Sequence, residues 1–362
     1  MQILIVSPSL NPTQNINGIS SMTNFIIENN SCFDYVHFEL GRKDNEKGGF
    51  RRIGSILQKF KEWKCLLRKY PDALVHYNFP LEKPSVLRDT PFMHEAIRTG
   101  HKMVVHIHGG RLLTSANIPF PFRQILNHVF SWQVLFIALS DKEVEILRNK
   151  FQAKKVVSLP NCIDLRDSKI FERHYYDKTS PLTLGYLGRI TSTKGMEYLL
   201  KACILLKKRN IPYRLKLAGI EDVNERFISQ FSNSLDDHFE YCGSVTGEIK
   251  NNFLRSLDLL VMPTFFEGLP LSLLECMSYG IVPIITPVGS ITTVVTDQQN
   301  GMFIKVKDTD SIVEAITYLH AHRDKLEHMS ISARNTIYEH FNPSIYISNL
   351  NNIYNKCLHL QK

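Results

Sequence analysis

The chain has 362 residues, 43% of them apolar, and a formal net charge of +8, which suggests about two domains with a full core each and an anionic partner. The charge suits nucleotide phosphates, lipid phosphates or an acidic membrane surface. Nucleic acid is disfavoured, because there is no zinc-finger spacing, no RNP-like aromatic motif and no heptad-linked basic region. Seven scattered cysteines without a CxxC pair argue for a reducing compartment and against a disulfide framework or a structural zinc site. The start, MQILIVSPSL, has neither a basic n-region nor a long apolar run, and no stretch approaches the roughly 20 apolar residues of a membrane span. The expectation is a cytoplasmic protein, soluble or peripheral on the inner face of the membrane.

Gln2 to Val6 reads as a short apolar strand opening into a loop that reaches Gly18, ahead of a helix from Ile19 to Glu28. This is a Rossmann-type start without GxGxxG, which disfavours a hydride-transferring dehydrogenase. Gly18 either lets backbone amides approach a diphosphate or an acceptor, or is a turn glycine. Further strands are predicted at Tyr35–Glu39, Ala73–Tyr77, Lys102–Ile107, Val134–Leu139 and Val156–Leu159, with helical stretches between. Strands alternating with helices imply a parallel sheet covered on both faces.

Two stretches of this half bear on function. Residues 50–70, FRRIGSILQKFKEWKCLLRKY, place apolar residues at helical spacing among many basic ones. Such a helix either rests on an anionic membrane or packs its apolar face on the sheet. The HIHGGR segment closes the strand that begins near Lys102, and ligand sites in open α/β sheets lie beyond such carboxyl ends. His108 there suits a hydrogen bond to a sugar or a phosphate, and Arg111 a phosphate clamp. The HxH spacing lacks a third metal ligand.

After Asn161, Cys162, Ile163 and Asp164 the pattern loosens into a charged linker ending near Ser180. A second α/β run then begins, with strands near Thr183–Leu187, Arg214–Ala218, Phe239–Tyr241, Leu259–Met262 and Ile281–Ile285. Its first strand-to-helix turn, GYLGRITSTKG, carries Arg189 and Lys194 beside a helix start, a plausible diphosphate clamp. Further on, SLDLLVMPTFFEGLPLSLLECMSYG reads as strand, loop and helix, with Glu267 at the helix mouth and Glu275 about a turn inside. The amides of Leu271 and Ser272 head that helix and suit an anion, and the carboxylates suit hydroxyl groups. The combination is what a nucleotide-sugar needs.

The order of these motifs resembles the family 4 glycosyltransferases of the GT-B fold: NCID before the linker, GRI plus KG opening the second half, then EGLPLSLLE and MSYGIVPII. That resemblance implies two Rossmann-like doubly wound domains facing across a cleft. The first would span residues 1–165 on the acceptor side and a linker 166–180. Residues 181–340 would bind the nucleotide-sugar, and a helix in 341–362 would cross back to the first domain. It also implies a retaining, metal-independent transferase with no cofactor, since the nucleotide-sugar is a substrate. Arg189 and Lys194 match the basic pair that binds the donor diphosphate and stabilises the leaving group. Glu267 matches the carboxylate near the reacting carbon, and Glu275 the one that binds the donor ribose. Gly268 and Leu269 match backbone positions at the sugar, and Leu271 and Ser272 the phosphate-facing amides. Gly243, Ser244 and Val245 match the loop against the base. On the acceptor side the family histidine is replaced by Asn78, and Asn161 aligns in NCID with Cys162 where glycine is usual. The implied partners are a nucleotide-sugar donor and a lipid-linked glycan acceptor in surface-polysaccharide assembly. The competing readings are a nucleotide-sugar epimerase or phosphorylase of the same architecture, and a non-catalytic nucleotide-sugar-binding protein.

Overall fold

The computed structural model describes residues 1–12, 14–15, 17–42, 51–173 and 180–359. In chain order the first half runs β1 (Gln2–Ser7), α1 (Gly18–Asn29), β2 (Asp34–Glu39), α2 (Arg51–Lys69), β3 (Leu74–Phe79), α3 (Lys83–Arg98), β4 (Met103–Ile107), α4 (Arg111–Thr114), α5 (Phe122–Ser131), β5 (Leu135–Ala138), α6 (Asp141–Phe151) and β6 (Val156–Ser158). The second half runs α7 (Arg166–Lys169), β7 (Leu182–Leu187), α8 (Met196–Lys208), β8 (Tyr213–Ala218), α9 (Phe227–Leu235), β9 (Phe239–Tyr241), α10 (Gly247–Arg255), β10 (Leu259–Met262), α11 (Leu271–Ser278), β11 (Val282–Ile285), β12 (Met302–Phe303), α12 (Thr309–Ala321) and α13 (Arg323–His340); α14 (Pro343–His359) follows.

The chain divides into two compact units, one made of Met1–Asn161 with Ser344–Lys362, the other of Cys162–Pro343. Unit 1 carries a parallel sheet in the order β2-β1-β3-β4-β5-β6, and unit 2 a parallel sheet in the order β12-β11-β10-β7-β8-β9. Strands buried on both faces explain why β1 from Ile3 to Val6 and β10 read as unbroken apolar runs rather than alternating ones. In each sheet the chain winds outward from its first strand and then returns to that strand's other side. The order therefore reverses between β1 and β3 in unit 1, and between β7 and β10 in unit 2.

The basic stretch expected to meet either membrane or sheet forms α2, and it packs inward. Trp63 and Leu67 are buried, and Ile56, Phe60 and Leu66 are partly buried against the same core. Trp63 also donates its indole N–H to the Phe92 carbonyl at 2.9 Å. Ile53 and Leu57 are left exposed; Phe50 lies outside the described residues. Burial on the sheet wins because an indole that finds both apolar contact and a hydrogen-bond partner has little to gain elsewhere.

Of the expected linker 166–180, residues 174–179 lie outside the described part. The rest belongs to unit 2. Arg334 of α13 donates to the carbonyls of Phe171 (2.5 Å) and Ser168 (2.8 Å), and Arg173 donates to the Tyr279 carbonyl at 3.0 Å. The last helix, α14, packs in unit 1: Asn351 accepts from Asn30 at 2.7 Å, Tyr354 meets His76 at 2.6 Å, and Lys102 donates to the Leu358 carbonyl. Among the described residues no helix is long and apolar enough to cross a membrane.

Candidate active site

Open α/β sheets bind ligands beyond the carboxyl ends of their strands, where the strand order reverses. In unit 2 the loops leaving that point are residues 188–195 after β7 and 263–270 after β10, and they hold Arg189, Lys194 and Glu267. Lys194 ends a 3-10 turn and is followed by Gly195 at φ +77°. A Cβ on Gly195 would lie 2.0 Å from the Pro263 carbonyl oxygen, so only glycine allows the two loops to touch. The Phe265 N–H then donates to the Thr193 carbonyl at 3.0 Å. Stapled in this way, the Lys194 ammonium donates to Glu267 Oε1 at 2.5 Å, with the side chains 26% and 13% exposed.

A second contact fixes Glu267 from below. Gly289, at φ +59°, would put a Cβ 1.9 Å from the Glu267 carbonyl oxygen, and the Ser290 N–H donates to the Gly268 carbonyl at 3.0 Å. Arg189 is exposed, and its carbonyl accepts from the buried Tyr186 hydroxyl at 2.8 Å. Burial raises the Tyr186 pKa far above 10, the Glu267 charge raises it further, and the Arg189 charge opposes the rise. Arg189 follows the end of β7 and Glu267 the end of β10, so both lie in loops at the carboxyl edge of the same parallel sheet.

The helix that follows is α11. Its first intrahelical backbone bonds run from Leu273 and Leu274 to the Pro270 carbonyl, so the amides of Leu271 and Ser272 have no acceptor within the helix. Leu269 is buried at 3% exposure, so its side chain packs inward. In the loop after β9, the Gly243 carbonyl accepts from the Gly219 N–H at 2.7 Å, Ser244 is exposed, and Val245 is buried.

Glu275 brings in a residue that the sequence reading passed over. Lys250 of α10 donates to Glu275 Oε1 at 2.7 Å, with the side chains 31% and 23% exposed. Burial works against this ammonium, yet the Glu275 charge and hydrogen bond, with Asp164 beyond, more than offset it, and its pKa is raised. Each of the two carboxylates expected to meet the donor is therefore paired with a lysine, Glu267 with Lys194 and Glu275 with Lys250. A lysine in a polar helix carries no periodicity or motif signal; only the packing of α10 beside α11 selects it.

In unit 1 two of the residues expected on the acceptor side, Asn78 and His108, meet at the ends of β3 and β4. Asn78 is buried and fully engaged: its amide N–H groups donate to the Val6 carbonyl at 2.9 Å and to Thr23 Oγ1 at 3.2 Å, and its Oδ1 meets His108 Nε2 at 2.6 Å. A carbonyl accepts only from the amide nitrogen, so Oδ1 must be the atom facing His108. It follows that His108 carries its proton on Nε2 and offers Nδ1 as an acceptor. Burial, aided by His76, pushes the His108 pKa down to about 3, which keeps the ring neutral. Asn78 therefore serves His108 and presents no polar group of its own.

Behind His108 lies a chain of buried polar groups that the sequence did not announce. The His108 ring lies tilted against His106 with centroids 4.2 Å apart, His106 Nδ1 is 3.3 Å from His76 Nε2, and His76 Nδ1 meets the Tyr354 hydroxyl at 2.6 Å. Burial drives the His76 pKa down to about 3, and burial with the neighbouring His108 and His76 rings holds that of His106 well below its ordinary value. Among the described residues no group of three His, Cys, Asp or Glu side chains is placed to hold a metal ion. Arg111 is exposed at the start of α4, where its N–H donates to Glu82 Oε1 at 3.0 Å. Gly18 is the first residue of α1, whose N-cap Asn17 accepts from the Ser20 N–H at 2.8 Å. Asn161 is buried after β6.

Residues 168–336 match the family model described as Glycosyl transferases group 1. In overall structure the chain is similar to sucrose-phosphate synthase from Thermosynechococcus elongatus (TM-score 0.77, 17% identity, 98% of each chain). It is also similar to HepE of Anabaena in complex with UDP (TM-score 0.75, 14% identity, 98% of this chain and 100% of that one). These likenesses and the two doubly wound sheets define a GT-B fold, that of glycosyltransferases. Among curated proteins, the UDP-Gal:alpha-D-GlcNAc-diphosphoundecaprenol alpha-1,3-galactosyltransferase of Escherichia coli is 23% identical over 252 residues, 64% of this chain and 65% of that protein. The chain spans about half the length of the curated relatives it matches.

Proposed function

We propose that this protein is a retaining, metal-independent glycosyltransferase that moves a sugar from a nucleotide-sugar to a lipid-linked saccharide in surface-polysaccharide assembly. The observation that carries the donor half is the Lys194–Glu267 contact, a cation and a carboxylate 73 positions apart in the chain meeting where the strand order of unit 2 reverses. Lys194 keeps two further N–H donors beyond the one given to Glu267, and with Arg189 it would neutralise the charge that develops on the leaving diphosphate. The amides of Leu271 and Ser272 would take part of the same diphosphate, Glu267 would lie at the transferred sugar, and Glu275 would accept from the ribose.

The acceptor half has narrower support. A relative named for a diphosphoundecaprenol-linked substrate and the basic charge of the chain favour a lipid-linked acceptor. The neutral His108 ring, with Nδ1 unprotonated, is built to accept from a sugar hydroxyl and has no proton there to offer a phosphate.

The test is incubation with a panel of nucleotide-sugars and a lipid diphosphate-sugar, followed by mass analysis of products. A donor-dependent mass increase of one sugar on the lipid supports the reading. Release of an isomerised donor, a requirement for inorganic phosphate, or indifference to every donor would refute it. Lys194→Ala and Glu267→Ala are expected to lower turnover by at least about 100-fold, the usual cost of removing one electrostatic contact to a transition state.

A further inference from the structure

Lys250 belongs to no motif, and the geometry gives it a place in the donor site. It is the fourth residue of α10, the helix whose N-cap Thr246 directly follows Gly243, Ser244 and Val245, the loop expected against the base. Its ammonium reaches across to Glu275 Oε1 at 2.7 Å, and Glu275 is the carboxylate expected at the ribose. Lys250 thus joins the loop at one end of a nucleoside to the side chain at its middle.

The hydrogen-bond accounting leaves room for a ligand. An ionised carboxylate offers about four lone-pair sites, and an ammonium three donors. Among the described residues the side-chain contact of Glu275 is the one to Lys250, and that of the Lys250 ammonium is the one to Glu275. Three acceptor sites and two donors therefore remain on a pair still partly open to solvent.

Stability alone is a weak reason to hold such a pair. Half-buried ion pairs contribute little net stability, because desolvation offsets most of their attraction. What the contact does accomplish is orientation. A glutamate on a short helix otherwise samples several rotamers, and a fixed ammonium on one oxygen selects one of them while leaving the other oxygen to a ligand.

We infer that Lys250 is a positioning residue for the nucleotide: it holds Glu275 with one oxygen engaged, so that the other receives the ribose hydroxyls of a nucleoside diphosphate. This inference rests on the donor-site reading above. Its own signature is a coupling, since the benefit of Lys250 is transmitted through Glu275 to the ribose and to no other part of the ligand. A ligand without ribose hydroxyls is therefore blind to Lys250.

The experiment is titration calorimetry of the full chain with UDP, GDP and ADP and with their 2′,3′-dideoxy counterparts, for wild type, Lys250→Met and Lys250→Arg. The wild type is expected to bind at least one ribonucleotide about tenfold or more tightly than its dideoxy form, the scale of a hydrogen bond to a charged group. Lys250→Met is expected to lose most of that factor on the ribonucleotide while leaving the dideoxy form unchanged, and Lys250→Arg to recover part of it. In turnover the same change raises the donor KM and spares kcat. An equal loss on both ligand forms marks a structural or general charge role and overturns the inference, as does no loss on either. Wild-type protein that binds none of the three diphosphates defeats the donor-site reading itself. Wild-type protein that binds ribo and dideoxy forms alike removes Glu275 from the ribose, and Lys250 with it.

Discussion

Glu267 is held as much by what lies beneath it as by Lys194. At Gly289 a methyl group would stand 1.9 Å from the Glu267 carbonyl oxygen, on a backbone at φ +59°. At Gly243, φ +67°, the added methyl would meet nothing within 4 Å. Both alanine variants incur the backbone strain of the left-handed region, about 1–2 kcal/mol, but only Gly289→Ala must also displace the Glu267 loop. The expected outcome is a drop in thermal stability for both and a far larger loss of turnover for Gly289→Ala. Melting curves read beside donor hydrolysis separate the two effects; equal activity in the two variants would show that the loop position is not critical.

At the scale of an element, α14 shows how a helix can belong to a unit from which it is distant in sequence. It follows unit 2 in the chain, yet it buries Tyr346, Leu350, Ile353, Tyr354 and Cys357 and caps the polar chain of β3 and β4 through His76. Each apolar side chain so buried contributes about 1.5–3 kcal/mol. Against a typical domain stability of about 5–15 kcal/mol, loss of the helix is severe. A chain ending at Phe341 is expected to lose the thermal transition of unit 1 while unit 2 keeps its own, read by limited proteolysis with peptide mapping. Tyr354→Phe is milder, at about 1–3 kcal/mol for an imidazole deprived of its partner.

At the scale of the whole molecule, acid should act through unit 1. His76 and His106 are fully buried and held neutral, with the His76 pKa pushed down to about 3 by burial and that of His106 also held well below its ordinary value. An unfolded chain protonates the same rings near 6.5. Between these values the unfolded state binds more protons, so stability is fully present above about pH 6.5 and is lost as pH falls toward 3. The loss approaches about 1.4 kcal/mol per ring for each unit below 6.5. The slope of unfolding free energy against pH between 6.5 and 5 is expected to be shallower in His76→Gln than in wild type, whatever that variant does to stability at neutral pH. An unchanged slope would show that these rings titrate normally in the folded protein.

The alternation of apolar runs with helical stretches, the glycine that ends the Lys194 turn and the loop that carries Glu267 were all legible in the sequence. Each is a matter of local period, turn chemistry or a motif a few residues long. The approach of Lys194 to Glu267 was anticipated in kind, as a shared ligand site, though not as a direct ion pair. Lys250 beside Glu275, Asn78 locking the tautomer of His108, and Tyr354 meeting His76 were not legible. Those contacts join residues 25, 30 and 278 positions apart. Which residues so separated come to touch depends on strand order, the side of the sheet to which the chain returns and the register of each strand. None of these leaves a local signature, and it is packing that decides them.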